Sequence, residues 1–210
     1  MKNKQQGVSL VSLLIGLLIS MIVLVGMLMI YRNAIHVVVP ASEAARSDGE
    51  RVAGLLAAHM MLVDAGFGVE NEVYDTHLQV LDGNSPQVLA TTVGSKASGD
   101  TVVWIKKLGN DIFCEGLQAN KDMAGDLWRV SCNATLTDIT PVAPLILPSR
   151  HTGDEVSGIT ITASREECRP FGIGTNIVGG ITLTLKVQTT TTQALGKDIQ
   201  STTCLVNFLP

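Results

Sequence analysis

Four cysteines, Cys114, Cys132, Cys168 and Cys204, are the most reactive side chains of the sequence. An even set of thiols offers two chemistries: oxidation to two cystines, or thiolate coordination of a metal such as zinc. Structural zinc sites draw on closely spaced pairs of the Cys-x-x-Cys kind. Here 17, 35 and 35 residues intervene, so oxidation is the expected chemistry, and it requires an oxidising compartment. Three pairings are possible. Cys114–Cys132 and Cys168–Cys204 are favoured because each closes a local loop between strand candidates, and each bridge would contribute about 3–4 kcal/mol.

The remaining chemistry-bearing residues do not combine. His36, His59, His77 and His151 are isolated from one another, and no Gly-x-Ser-x-Gly, His-Glu-x-x-His or phosphate loop is present. Gly172-Ile173-Gly174 lacks a third glycine and a strand–turn–helix setting. Asp64, Glu70 and Glu72 form the kind of acidic group that solvated turns often carry. Asn110, Asp111, Asn120, Asp122 and Asp126 offer oxygen ligands of the type Ca²⁺ takes, at a spacing that matches no calcium loop. Asn133-Ala134-Thr135 reads as a glycosylation sequon, a pattern common by chance. The expectation is a non-enzyme without cofactor or metal.

The strongest signal lies at the other end of the chain. Val8–Tyr31 is a 24-residue stretch without a charge, placed directly behind the basic leader Met1-Lys2-Asn3-Lys4-Gln5-Gln6-Gly7. As a helix it would be about 36 Å long, enough for a hydrocarbon core of about 30 Å. Lys2 and Lys4 favour a cytoplasmic N-terminus. The run is too long for an ordinary secretory signal, although Val39-Pro40-Ala41-Ser42 offers a weak cleavage site. Gly16 and Ser20 make a small-xxx-small pair that permits close helix approach, and Gly26 adds a third small residue.

Gly7-Val8-Ser9-Leu10-Val11-Ser12-Leu13-Leu14-Ile15 resembles the start of type IV pilin-like proteins. That resemblance implies cleavage by a prepilin peptidase between Gly7 and Val8, with N-methylation of Val8. Two positions depart from the pattern: the first mature residue is Val8 where Phe is usual, and the fifth is Ser12 where Glu is usual. In filaments of that class the acid offsets the terminal ammonium of a neighbouring subunit within an apolar core. Ser12 accepts a hydrogen bond but neutralises no charge. A subunit of this kind is expected at a fibre tip rather than in its repeating body, unless the ammonium is served by another group.

The resemblance extends to about residue 70. Gly49-Glu50-Arg51 and Leu62-Val63-Asp64-Ala65-Gly66-Phe67-Gly68 look like the PilW family of minor pilins, with Val63-Asp64 where that family often has Arg-Met. Val52, Leu55, Leu56, His59, Met60 and Val63 recur at helical spacing and are expected to face a core. Gly66 stands where a helix cap is expected. Pro40 is expected to kink or break the helix. A near-continuous helix from Val8 to Ala65 would be about 87 Å long.

Residues 69–210 are rich in Val, Ile and Thr, with Gly, Asn, Asp and Pro between short apolar runs. Strands are expected over Val88–Val93, Thr101–Lys106, Leu127–Cys132, Val156–Ala163 and Ile181–Gln188, with Thr203–Phe208 pairing to the last across the Thr189–Ser201 loop. In Ile181–Gln188, Ile181, Leu183, Leu185 and Val187 should face a core, and Thr182, Thr184, Lys186 and Gln188 water. Trp104, Trp128, Phe113 and Phe208 are expected core anchors. The fold class is therefore α+β, a long N-terminal helix on a mainly antiparallel head. Its organisation is a leader at 1–7, a membrane or filament-core helix at 8–31, a periplasmic amphipathic helix at 32–68 and a disulfide-bearing head at 69–210.

The resemblance implies a structural subunit. Made in the bacterial inner membrane with a periplasmic head, it would pass into a pilus fibre through contacts with major and minor pilins, the prepilin peptidase and the assembly platform. Lipid is its neighbour before assembly. Formal net charge is −4; loss of Lys2 and Lys4 leaves 13 basic against 19 acidic side chains, a net −6. This gives no electrostatic reason to bind nucleic acid. Two other readings remain: a type II secretion pseudopilin of the J or K kind, and a singly anchored periplasmic binding or sensor domain.

Overall fold

In the computed structural model, residues 10–70, 72–119, 127–147, 158–170, 176–188 and 198–208 are described. The chain divides into two compact units, Met1–Ala45 and Arg46–Pro210. One helix, α1 (Leu10–Val63), runs through residues of both. Pro40 sits inside it without ending it, against the expected break. Proline removes one N–H bond, to the carbonyl four residues back. Here that carbonyl belongs to exposed His36, which water can serve, and the Ala41–Ala45 segment that follows favours helix.

The second unit is antiparallel throughout its described ladders. β1 (Leu78–Asp82), β2 (Ser85–Gln87), β3 (Lys96–Gly99), β4 (Thr101–Leu108), β5 (Asp111–Ala119), β6 (Leu127–Cys132), β7 (Thr140–Ile146), β8 (Thr160–Cys168), β9 (Ile177–Gln188) and β10 (Asp198–Cys204) follow in order. They form a six-stranded sheet, β2-β1-β4-β5-β6-β7, and a four-stranded sheet, β10-β9-β8-β3. The sheets approach at β1 and β3, where the Asp100 N–H donates to the Leu81 carbonyl at 3.0 Å.

One core gathers residues of α1, both sheets and the C-terminal turn. It includes Leu55, Ala58 and Leu62 of the helix, Val102, Trp104 and Leu117 of the larger sheet, Ile161, Leu183 and Leu185 of the smaller, and Phe208. A second cluster covers the other face of the larger sheet with Val103, Ile105, Val130 and Leu136, and half-buried Trp128 packs against it. β4 is thus buried on both faces, which is why Val102-Val103-Trp104-Ile105 reads as an unbroken apolar run rather than an alternation. On β9, Ile181, Leu183, Leu185 and Val187 are buried as the period predicts.

Several elements differ from the sequence expectation. Val88–Val93 is not a strand: only Leu89 is buried, and the chain turns through Gly94 at φ +89°. The Ser95 hydroxyl closes that turn by donating to the Ala90 carbonyl. The strand expected from Val156 begins at Thr160. β10 pairs with β9 from Asp198, earlier than expected, and leaves the sheet after Cys204. Beyond it Asn207 Nδ2 donates to the Ala65 carbonyl at 2.7 Å and Phe208 packs into the core. Those contacts pull the chain off the ladder toward the helix end. Asp111 opens β5 opposite Leu108 instead of sitting in an acidic loop. Asn120, Asp122, Asp126 and His151 lie outside the described residues.

Two side-chain expectations are also corrected. Phe113 is 45% exposed, and Thr182 is buried. The threonine is tolerated there because its hydroxyl meets the Ser164 hydroxyl at 2.7 Å and the Glu166 carboxylate at 2.7 Å.

The buried face of α1 is rotated by about one residue from the expected stripe. It consists of Arg51, Gly54, Leu55, Ala58 and Leu62, while Val52, Leu56 and Met60 are more than half exposed. Small residues explain the shift. A Cβ at Gly54 would lie 2.7 Å from the Leu145 carbonyl oxygen and closer still to Ile146 Cγ1. The helix therefore sits against β7 through Gly54, which a hydrophobicity pattern does not weigh. Gly66 takes φ +77° just beyond the helix and donates to the Ile105 carbonyl at 3.0 Å, tying the helix exit to β4.

Candidate processing and assembly segment

The first turns of α1 hold the motif that the sequence singled out. Gly7 and Val8 lie outside the described residues, so the structure gives no geometry for the expected cleavage. Ser12 is helical and exposed. Among the described residues no acidic side chain lies in the first turn of α1. From Leu10 to Tyr31 every residue is exposed and none is charged. By length and composition this helix can cross a membrane. A methyl group at Gly16 or Gly26 would meet nothing beyond the helix's own backbone, and Gly16 and Ser20, four apart, lie on one helical face.

Exposed apolar surface on this scale is unfavourable in water, at roughly 25 cal/mol for each Å². Two environments relieve it: lipid, and a bundle of similar helices. In lipid a helix satisfies its own backbone bonds. In a bundle, small residues such as Gly16 and Ser20 permit close approach.

The cysteines lie far along the sequence from this segment. Cys114 and Cys132 face each other on β5 and β6 and form a disulfide with Cα atoms 5.0 Å apart. Cys168 at the end of β8 bonds Cys204 at the end of β10, with Cα atoms 5.7 Å apart. The second bond lies against Gly180 of β9, where a Cβ would stand 3.3 Å from Cys168 Sγ.

The polar clusters of the described head serve the fold. Glu115 of β5 receives Lys106 Nζ at 2.9 Å and Arg129 Nη2 at 2.7 Å from the strands on either side. Burial raises its pKa, but hydrogen bonds and charge from Lys106 and Arg129 together outweigh that and hold it below the usual carboxylate range. Glu166 is held low chiefly by the hydrogen bond from Thr182, with Ser164 adding to it against a smaller burial cost. The Tyr74 hydroxyl donates to the Gln87 carbonyl at 2.9 Å and accepts from the Val80 N–H at 3.3 Å. Burial is the main cause that pushes its pKa up to about 12. Among the described residues no group of three or more His, Cys, Asp or Glu side chains could hold a metal. His59 meets the Thr203 hydroxyl at 2.6 Å. In the Asn133–Asp138 loop, Asn133 Oδ1 accepts from the Thr135 and Thr137 N–H groups, and its Nδ2 donates to Asp138.

A long apolar N-terminal helix combined with a mostly antiparallel β head is a pilin-like layout. The family described as the prokaryotic N-terminal methylation motif matches residues 2–28. That match supports a type IV pilin-like protein and implies processing by a prepilin peptidase and assembly with other pilins. No curated protein and no solved structure matches the chain.

Proposed function

We propose that this chain is a minor pilin of the PilW type, a structural subunit that helps prime assembly of a type IV pilus and stays at the fibre tip. The observation that carries the reading is the coincidence of the methylation motif, matched over residues 2–28, with an uncharged apolar helix surface exposed from Leu10 to Tyr31. In this reading residues 1–7 are a leader removed between Gly7 and Val8, and Val8 is the methylated terminus. Residues 8–31 hold the subunit in the inner membrane and later in the fibre core. Residues 32–68 and the head at 69–210 are periplasmic. Extraction exchanges lipid for sister helices, one dry setting for another, so the helix keeps its apolar cover at each stage.

Ser12 supports placement at the tip. In the fibre body a subunit without an acid at this position leaves a terminal ammonium without its partner, and an uncompensated buried charge is costly. Restoring the acid with Ser12→Glu should let the subunit enter the body, seen as a rise in copies per fibre. An unchanged copy number and position would count against the tip assignment.

N-terminal sequencing and mass measurement of the membrane form test the reading as a whole. The expected result is a chain that begins at N-methylated Val8. An intact leader refutes it and leaves a singly anchored periplasmic domain. A type II secretion pseudopilin predicts the same mature terminus, and deletion separates the two: loss of piliation supports the pilus subunit, loss of protein secretion the pseudopilin.

A further inference from the structure

The two sheets end on four edge strands, β2, β7, β3 and β10. Exposed edges invite pairing with another chain, and proteins blunt them with prolines, charges, short strands or cover. β7 carries Pro141 and Pro144. β2 has three residues, one of them Pro86. β3 has four residues, including Lys96, and ends at Gly99, where a Cβ would collide with the backbone of Leu81 on β1. β10 is longer, at seven residues, and has no proline: Asp198-Ile199-Gln200-Ser201-Thr202-Thr203-Cys204. Its one charge, Asp198, stands at its start and pairs with Lys186 of β9.

The register fixes which of its backbone groups are open. Bonded and non-bonded pairs alternate along an antiparallel ladder. The Leu205 N–H donates to the Ile181 carbonyl at 2.9 Å. Counting back by twos along the unshifted register places Thr203, Ser201 and Ile199 in bonded pairs with Leu183, Leu185 and Val187. The N–H and C=O groups of Gln200 and Thr202 therefore point away from β9. Among the described residues no backbone group bonds to them.

A groove lies along this strand. Val52, Leu55, Leu56 and His59 of α1 form one wall, and Ile199, Gln200, Ser201 and Thr202 form the other. Val52 and Leu56 belong to the apolar stripe that the close seating at Gly54 turns out of the core. Open peptide groups at every second residue call for an extended chain, because a helix has already spent its own N–H and C=O groups and a lipid tail has none. Such a chain must be apolar at the positions that cover Val52 and Leu56 and polar at the alternate positions beside Gln200 and Thr202.

We propose that β10 is an acceptor edge, which takes an alternately apolar strand from another pilin-like subunit and extends the four-stranded sheet by one. The donor's identity as a pilin-like subunit rests on the function proposed above; the open edge does not.

The test uses the full chain, co-expressed with the prepilin peptidase and the other pilin-like subunits of its source and solubilised in mild detergent. Amide hydrogen exchange across residues 198–204 is compared with that of the chain produced alone. The Gln200 and Thr202 amides should slow at least about tenfold in the complex. Thr202→Pro removes an outward N–H without touching the β9 ladder. It should lower recovery of the bound subunit at least about tenfold at an unchanged melting temperature. Should proline lower the melting temperature, Gln200→Lys with Thr202→Lys keeps every backbone bond and should give the same loss. Unchanged exchange in a complex containing the processed chain, or full assembly of these variants, overturns the acceptor edge alone. Cross-linking at Gln200 that joins only two copies of this chain also overturns it. A chain that keeps its leader overturns the function instead.

Discussion

Gly54 offers a sharp measurement of how α1 is seated on the head. Two opposed effects meet when it is replaced by alanine. Helix propensity favours alanine by about 0.8–1.0 kcal/mol in a helix interior. Against this, the new methyl would stand 2.7 Å from the Leu145 carbonyl oxygen and 3.1 Å from Ile146 Cδ1, and nearer still to Ile146 Cγ1. Ile146 is buried and the carbonyl is β7 backbone, so neither moves cheaply. Overpacking of this kind costs about 1–3 kcal/mol. The packing term wins, and Gly54→Ala should destabilise the head by about 1 kcal/mol, roughly 2–4 °C in melting temperature for a unit of this size. Gly49 is the internal control, since it lies on the same helix and a methyl group there would meet nothing beyond the helix's own backbone. Gly49→Ala should raise the melting temperature by a similar amount, through propensity alone. The assay is thermal unfolding of the detergent-solubilised full chain, followed by the near-ultraviolet signal of Trp104 and Trp128. If Gly54→Ala melts at or above the parent, α1 does not approach β7 as closely as described.

Three further outcomes follow from the head. Replacing Cys168 and Cys204 together by alanine should cost about 3–4 kcal/mol, and Cys114 with Cys132 about 3 kcal/mol, read as lower urea midpoints; a midpoint that does not move would show that the bridge constrains nothing. Glu115→Gln should flatten the acid limb of stability. Its folded pKa is depressed, so its contribution is complete above the ordinary carboxylate value near 4.5 and is lost as pH falls through the lower folded value. Urea midpoints measured from pH 6 down to 2 would expose an unchanged acid limb and so refute this. Tyr74→Phe should cost about 0.5–1.5 kcal/mol, because it removes the hydroxyl's bonds to the Gln87 carbonyl and the Val80 N–H; a neutral result in the same urea assay would mean that water replaces the hydroxyl.

How far the sequence spoke depended on whether side-chain pattern or backbone accommodation made each element. β4 and β9 were legible because buried β-branched and aromatic residues either fill both faces, as at Val102–Ile105, or alternate, as at Ile181–Val187. β7 was not, because Pro141 and Pro144 argue against a strand. An edge position with two register shifts against β6 tolerates them. β5 was missed because Asp111 and Gly116 interrupt its apolar pattern. At Gly116 the interruption is structural, since a Cβ there would press on the Val102 carbonyl and on Val103 and Val130. The buried face of α1 was misplaced for the same reason: Gly54 makes the contact with β7 by its smallness, while Val52 and Leu56 beside it remain outside. Within the candidate segment the apolar run and its exposure follow directly from composition. The cleavage and methylation proposed at Gly7 and Val8 would depend on recognition by a processing enzyme, which no internal contact encodes.

The route by which tension would leave α1 has a mechanical consequence. The helix end is tied at the Ala65 carbonyl by Asn207, three residues beyond Cys204, and Cys204 is bonded across β9 to Cys168. Force carried by the last turns of α1 therefore reaches β10, and the disulfide shares it with β8, so the edge strand cannot peel away alone.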